Sequence, residues 1–317
     1  MATRAETMEA LGLSVDIVSP LLEQCYKNEE KQIWENDLFS SPHGKHWHTS
    51  NHASQFPGDP EDACPRKAVY GLMNFASNKP TERAGRAIME AGLDIEDRVV
   101  TRFQRAGILL SNPPDAEHQT NFQEKKVWLS GNSDAIIKIP RSNRPYVVEL
   151  KTKFQNKIDM MKAGEIGPDK QHINQIKTYI ALVHNYGHEY WPDMDECIAG
   201  SILYISRDKP SDTVEFKFKY DPEWWEEGIA RLEEWNNYFI QDIIPPKPEN
   251  FMWSKGPCQY CPMKKEICKP DFTNKIENLS ESHGIEWTKK VRGDYNYKET
   301  RQAVLNRWKV EDEPVRN

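Results

Sequence analysis

Asp134 and the tripeptide Glu149-Leu150-Lys151 supply two carboxylates and an amine from neighbouring stretches of chain, a combination suited to metal-assisted hydrolysis of a phosphodiester. Hard oxygen ligands of this kind suit Mg²⁺ or Mn²⁺, which keep several waters and take only one or two carboxylates from protein. Such an ion would polarise a phosphate and make a bound water nucleophilic, while Lys151 would position that water or steady developing negative charge. Taken alone, an Asp followed by Glu-x-Lys is commonplace, and an ordinary surface hairpin with a Glu/Lys pair accounts for it equally well.

The surrounding residues say how these groups are held. Residues 131–137 and 146–153 read as two strands joined by a polar turn over 140–145. Along the second strand Val148 and Leu150 point one way while Val147, Glu149 and Lys151 point the other, so one face is expected to pack and the other to carry chemistry. Upstream, residues 81–107 show helical spacing of Ile88, Met89, Leu93, Val99, Val100 and Phe103. Glu96 falls within that apolar stripe, where a carboxylate without a partner is costly, and a cation near Asp134 and Glu149 would relieve the cost. Downstream, 172–184 reads as a helix with Gln175 and Tyr179 four residues apart on one face. They offer hydrogen bonds without charge, although Tyr179 also suits a half-buried core position.

A second signal lies in the cysteines. Cys258 and Cys261 form a Cys-x-x-Cys pair, Cys268 follows, and Cys64 stands far upstream as the natural fourth ligand. Cys25 and Cys197 remain over and read as unexceptional, partly buried thiols. Six cysteines without an apolar leader segment do not describe a secreted disulfide framework. A four-thiolate site for zinc or an iron-sulfur cluster is the better account, and spacing does not separate the two metals. A single Cys-x-x-Cys with a lone distant partner tilts the balance toward a cluster.

Taken in order, Cys64-Pro65-Arg66-Lys67 with Tyr70, Glu96, Gly131 with Asp134, Glu149-x-Lys151, Gln175-x-x-x-Tyr179 and the three late cysteines resemble the RecB-like PD-(D/E)XK iron-sulfur nucleases. Among these the chain is similar to the CRISPR-associated Cas-four type of exonuclease and its phage relatives, over about two thirds of its length from Cys64 to Cys268. The resemblance implies an α/β (α+β) restriction-endonuclease-like core, with a mixed central sheet flanked by helices. It implies a divalent metal held by Glu96, Asp134, Glu149 and the Leu150 carbonyl, with Lys151 as catalytic lysine. Gln175 and Tyr179 would orient substrate and active-site groups, and Arg66, Lys153 and Tyr179 would contact nucleic acid. A [4Fe-4S] cluster on Cys64, Cys258, Cys261 and Cys268 would tie the two ends of the nuclease domain together. Expected substrates are single-stranded DNA or free DNA ends, and a recombination or CRISPR-adaptation protein is the expected partner. Many relatives carry a histidine on the helix before the first catalytic carboxylate. This chain has none over 81–107, and Glu96 resembles the glutamate that some branches use there.

Length and composition agree with an intracellular globular enzyme, since 317 residues can bury a sizeable core. No stretch reads as a membrane span, and the expected setting is the cytoplasm of a prokaryotic or phage-infected cell. The formal net charge of -7 does not announce broad phosphate contact. The nine basic residues from Lys125 to Lys162 nevertheless suggest a basic channel around the hairpin, or equally a solvated lysine-rich face.

Three regions are expected: an extension over 1–60, a nuclease domain over 61–270 and a tail over 271–317. The extension reads as helical over 21–34 and loop-like over 40–60, where His43, His46, His48 and His52 sit among polar neighbours and read as surface residues. A hairpin is expected over 201–207 and 213–220. A helix then starts at Asp221-Pro222, with its tryptophans in the core rather than stacked on bases, and a last helix covers 297–308. The reading is therefore a metal-dependent DNA exonuclease; the competing one is a non-catalytic nucleic-acid-binding adaptor with a structural zinc or iron-sulfur site.

Overall fold

In the computed structural model the described residues are 50–52, 56–59, 63–75, 83–111, 120–139, 142–248, 251, 258, 261, 263, 267–268, 283–292 and 295–309. The chain divides into two compact units, Met1–Trp47 with Pro80–Arg83, and His48–Lys79 with Ala84–Asn317. Of the first unit only Arg83 is described, so the helix expected over 21–34 and three of the four N-terminal histidines lie outside the described residues. Among the described residues no helix is long and apolar enough to cross a membrane.

The second unit is built on a mixed four-stranded sheet of β4 (Ala135–Lys138), β5 (Pro145–Lys153), β6 (Ala199–Ser206) and β7 (Thr213–Lys219), in the order β4-β5-β6-β7. β4 and β5 form the expected antiparallel hairpin, with Ala135 opposite Val148. β5 and β6 run parallel, a pairing that needs a long crossover. Two helices fill that crossover, α3 (Gln155–Lys162) and α4 (Lys170–Tyr186). β6 and β7 make the second expected hairpin.

A smaller sheet of β1 (Asn51–His52), β2 (Phe122–Glu124) and β3 (Leu129–Gly131) has the order β1-β3-β2. β1 falls within the expected loop. A two-residue strand has no periodicity, and its pairing partner β3 is remote in sequence. The remaining helices are α1 (Pro65–Leu72), α2 (Arg83–Arg105), α5 (Pro222–Ile240), α6 (His283–Arg292) and α7 (Tyr297–Lys309). Asp221 caps α5 by accepting from the Trp224 N–H, with Pro222 in the first turn, as its sequence suggests.

One face of β5 packs as expected, and the face that carries Glu149 and Lys151 is covered as well. Val148 and Leu150 pack with Ile95 and Val100 of α2, whereas Val147 packs with Ile176, Tyr179 and Ile180 of α4. Both faces are covered, as is usual for a strand with a parallel neighbour under crossover helices. Gly200 permits the close approach of α4: a Cβ there would stand 2.6 Å from the Val147 carbonyl oxygen and 3.0 Å from Ile180 Cγ1.

The long apolar stripe of α2 is corrected. Val100 is buried, but Met89 and Leu93 are 60% and 61% exposed. Only the second half of the helix lies on the sheet. Trp225 and Trp235 of α5 are buried in the main core, as their spacing implied.

Candidate active site

Asp134 stands just before β4, and its Oδ2 accepts the Leu150 backbone N–H at 2.7 Å, which fixes the loop against the middle of β5. Alternation along β5 then turns Glu149 and Lys151 to the α4 side, the side of Val147. The Lys151 ammonium contacts Glu149 Oε1 as an ion pair and lies 4.0 Å from Asp134 Oδ2. The three groups expected to meet do meet.

Glu149 is 0% exposed, and neither of its oxygens accepts a hydrogen bond of regular geometry. A buried carboxylate so poorly served carries a substantial penalty. Burial first, and then the negative charge of Asp134, push Glu149 well above the usual carboxylate range, against the pull of Lys151. Burial raises Asp134 as well, against Lys151 and the Leu150 N–H. Glu96 is pushed up to about 7, by burial and then by Asp134, so its electrostatic field reaches the same spot from α2. Burial works to lower Lys151, but Glu149 and Asp134 outweigh it and hold the side chain as an ammonium. Lys151 can orient a nucleophile or steady an oxyanion; it is not poised to remove a proton.

Gln175 and Tyr179 share a face of α4, and Gln175 Nε2 donates to the Tyr179 hydroxyl at 3.4 Å. The expected nucleic-acid contact from Tyr179 is corrected, because the residue is 1% exposed and lies inside the core. Burial raises its hydroxyl, and the charges of Glu149, Asp134 and Glu96 act in the same direction. Its hydroxyl therefore lies within the electrostatic field of the three carboxylates.

The expected contact from Arg66 is corrected too. Arg66 is 2% exposed, and its guanidinium donates to the Pro245 carbonyl at 2.8 Å and to Cys268 Sγ at 3.8 Å. A long cationic side chain next to a cysteine motif suggests solvent, but the Pro245 carbonyl and the Cys268 sulfur give it partners inside. Lys153 donates to Asp169 Oδ2 at 2.6 Å. Lys126 pairs with Glu233 and Lys162 with Asp212, so the basic channel is thinner than the sequence suggests.

A neighbouring group was not legible in the sequence. His172 Nδ1 lies 2.8 Å from the Tyr204 hydroxyl, which also accepts the Asp169 backbone N–H at 3.1 Å. Tyr204 is the β6 partner of Lys151. Burial, followed by the positive charge of Lys151, lowers His172 to about 4 and keeps it neutral near pH 7. The only available signal was its place three residues before Gln175 on one helix, and the link to Lys151 needs the β5–β6 register.

Could this pocket hold a divalent cation? Among the described residues no three His, Cys, Asp or Glu side chains form a group already set to hold a metal ion. The donor chemistry nevertheless fits one. Asp134 raises both Glu96 and Glu149, and Glu149 Oε2 accepts no hydrogen bond, a burden that a hard cation would relieve.

The second candidate centre joins Cys64, at the position preceding α1, to Cys258, Cys261 and Cys268. Cys258 and Cys268 are buried, and Cys64 and Cys261 half-buried. Burial pushes the Cys64 thiol up to about 11; the Lys67 backbone N–H opposes this, and Cys268, Cys261 and Cys258 add to it. Each thiol therefore lies within electrostatic reach of Cys64. Burial raises Cys268, with the Arg66 guanidinium acting against it. Converging sulfurs beside a buried cation and a helix N-terminus fit a thiolate-bound metal, which would deprotonate them outright.

No family model and no curated protein matches this chain. Among solved structures it is similar to the alkaline exonuclease LHK-Exo from Laribacter hongkongensis, with a TM-score of 0.38 and 12% identity over 60% of this chain and 88% of that one. It is also similar to LHK-Exo in complex with dAMP, with a TM-score of 0.37 and 13% identity over 60% of this chain and 90% of the other. The similarity is weak, and the chemistry of the site stands on its own residues.

Proposed function

We propose that this protein is a metal-dependent deoxyribonuclease that hydrolyses phosphodiester bonds at single-stranded or free DNA ends, in recombination, repair or end processing. One observation carries the reading: Asp134 and Glu149 meet Lys151 on the β4–β5 hairpin, while buried Glu149 has the Lys151 ammonium at Oε1 and no hydrogen bond at Oε2. A purely structural ion pair gains little by being buried so incompletely satisfied.

Asp134, Glu149 and Glu96, with the Leu150 carbonyl, would hold Mg²⁺ or Mn²⁺. The ion would supply Lewis acidity and a water of lowered pKa. Asp134 is positioned for this by the Leu150 N–H, and Glu149 by the strand that buries it. Lys151 keeps its proton and faces the developing negative charge on phosphate. Gln175 and Tyr179 hold the carboxylates in place from α4. Cys64, Cys258, Cys261 and Cys268 would hold a [4Fe-4S] cluster, with zinc as the alternative, and its role there is to close the fold.

The test is digestion of end-labelled single- and double-stranded DNA with Mg²⁺, with Mn²⁺ and with neither. The reading expects metal-dependent release of nucleotides from ends, lost in Asp134→Ala. Binding of DNA with no digestion under any of these conditions would instead establish the adaptor.

A further inference from the structure

Phe154 follows the last residue of β5 and is 52% exposed. It occupies the position before the first turn of α3, where residues with a side-chain oxygen are favoured because they cap helix N–H groups. Phe154 makes no such cap. That work is done from another loop, where Asp208 Oδ2 accepts the Gln155 N–H at 2.7 Å. Phe154 thus serves neither the core nor the helix, and a residue that breaks local preference without structural return marks a functional position.

Its surroundings are ordered. The Arg207 guanidinium carbon lies 4.9 Å from the centre of the Phe154 ring. Arg207 is held there by Thr152, with Nε donating to Oγ1 at 2.9 Å and Nη2 to the carbonyl at 3.3 Å. Its own backbone N–H donates to the Lys153 carbonyl at 2.9 Å. Backbone N–H groups of Lys157 and Ile158 bond to the Phe154 carbonyl, so the ring stands on the junction of a strand and a helix, with little freedom to wander.

Lys151 and Lys153 precede the ring on the same strand, each paired with a carboxylate, and Asp208 caps α3, so it is the exposed ring and not a net positive charge that sets this spot apart. The backbone from Lys151 to Phe154 spans at most about 10 Å.

Resting on the nuclease reading above, we infer that Phe154 and Arg207 form a stacking platform for one unpaired nucleobase of the DNA strand whose phosphate lies at Lys151. An aromatic face accepts any base, and a guanidinium adds a cation–π contribution, so the platform would select single-stranded over paired DNA rather than one sequence. The occupant is an unpaired base because a paired one has its faces covered by its own stack.

Binding of a fluorescent oligo(dT) by anisotropy, in the non-cleaving Asp134→Ala background, tests this. Phe154→Ala should weaken binding roughly 5- to 100-fold, Phe154→Leu should weaken it nearly as much, and Phe154→Trp should retain it. An oligonucleotide series with a single abasic site moved along the strand should show one sensitive position, which disappears in Phe154→Ala. Unchanged affinity in Phe154→Ala, or a flat abasic profile in the parent, would overturn the platform while leaving a nuclease that still digests DNA. A parent protein that neither binds nor cleaves DNA would remove the nuclease reading itself. Equal weakening by Phe154→Trp would also count against stacking.

Discussion

The carboxylate pocket rests on β4, β5, α2 and α4, which pack in the two apolar clusters of the sheet, whereas the thiol cluster brings Cys64 together with Cys258, Cys261 and Cys268 from the other end of the second unit's sequence. At the first site the charges are the problem: Glu149 is buried with the Lys151 ammonium at one oxygen and no hydrogen bond at the other, and Asp134 and Glu96 both push its carboxyl up. At the second site the side chains are compatible, and the chain connection is the problem. Under the proposed reading the first site would give up stability for chemistry, while metal-binding energy at the second would be folding energy. The two should therefore answer differently to the same kind of substitution.

The largest expected effect is at the pocket. Lys151→Ala should reduce Mg²⁺- or Mn²⁺-dependent digestion by at least about a hundredfold, with a melting midpoint within a few degrees of the parent. A collapse of the fold in this variant would erase the contrast between the sites. Cys258→Ser should do the opposite and lower the melting midpoint by on the order of 10 °C. It should also remove the visible charge-transfer absorbance of anaerobically purified protein, or the bound zinc if zinc is the metal. An unchanged midpoint would show that the thiols do not hold the fold together.

A smaller change is expected behind the pocket. Gln175→Ala should lower turnover roughly tenfold without altering the pH profile of the remaining activity, because Gln175 touches Tyr179 and carries no charge.

The smallest effect is a pH dependence of metal-free stability. Glu96 binds its proton more tightly folded, at about 7, than in the unfolded chain, near 4.5. Its contribution is therefore complete below about 4.5 and lost as pH rises through about 7. Thermal melts of metal-stripped protein should fall between about pH 4.5 and pH 7 by a few degrees more than melts of Glu96→Gln, and added Mg²⁺ should abolish that extra fall.

The hairpin around Asp134 and Glu149 was legible because alternation and a polar turn are local features, and so were α4, α5, α7 and the β6–β7 pair. β1 was not, since two residues carry no period, and the short α1 and α3 were missed for a related reason. The burial of Arg66 was hidden because its partners, Pro245 and Cys268, are far away along the chain. His172 escaped notice because its relation to Lys151 passes through Tyr204 and the parallel β5–β6 register. Phe154 looked like nothing in the sequence, and only its exposure beside Arg207 sets it apart.

The amino-acid sequence by itself determined which chemical groups are available and, through period and spacing, which side of a strand or helix each one takes: Glu149 with Lys151, Gln175 with Tyr179, Cys258 with Cys261. Tertiary structure decided which of those groups are buried and which remain in water, placing Tyr179 and Arg66 inside and Phe154 outside. Local pattern is governed by backbone geometry over a few residues, but desolvation depends on every element that covers a group. In this chain those covering elements come from segments far apart along the backbone.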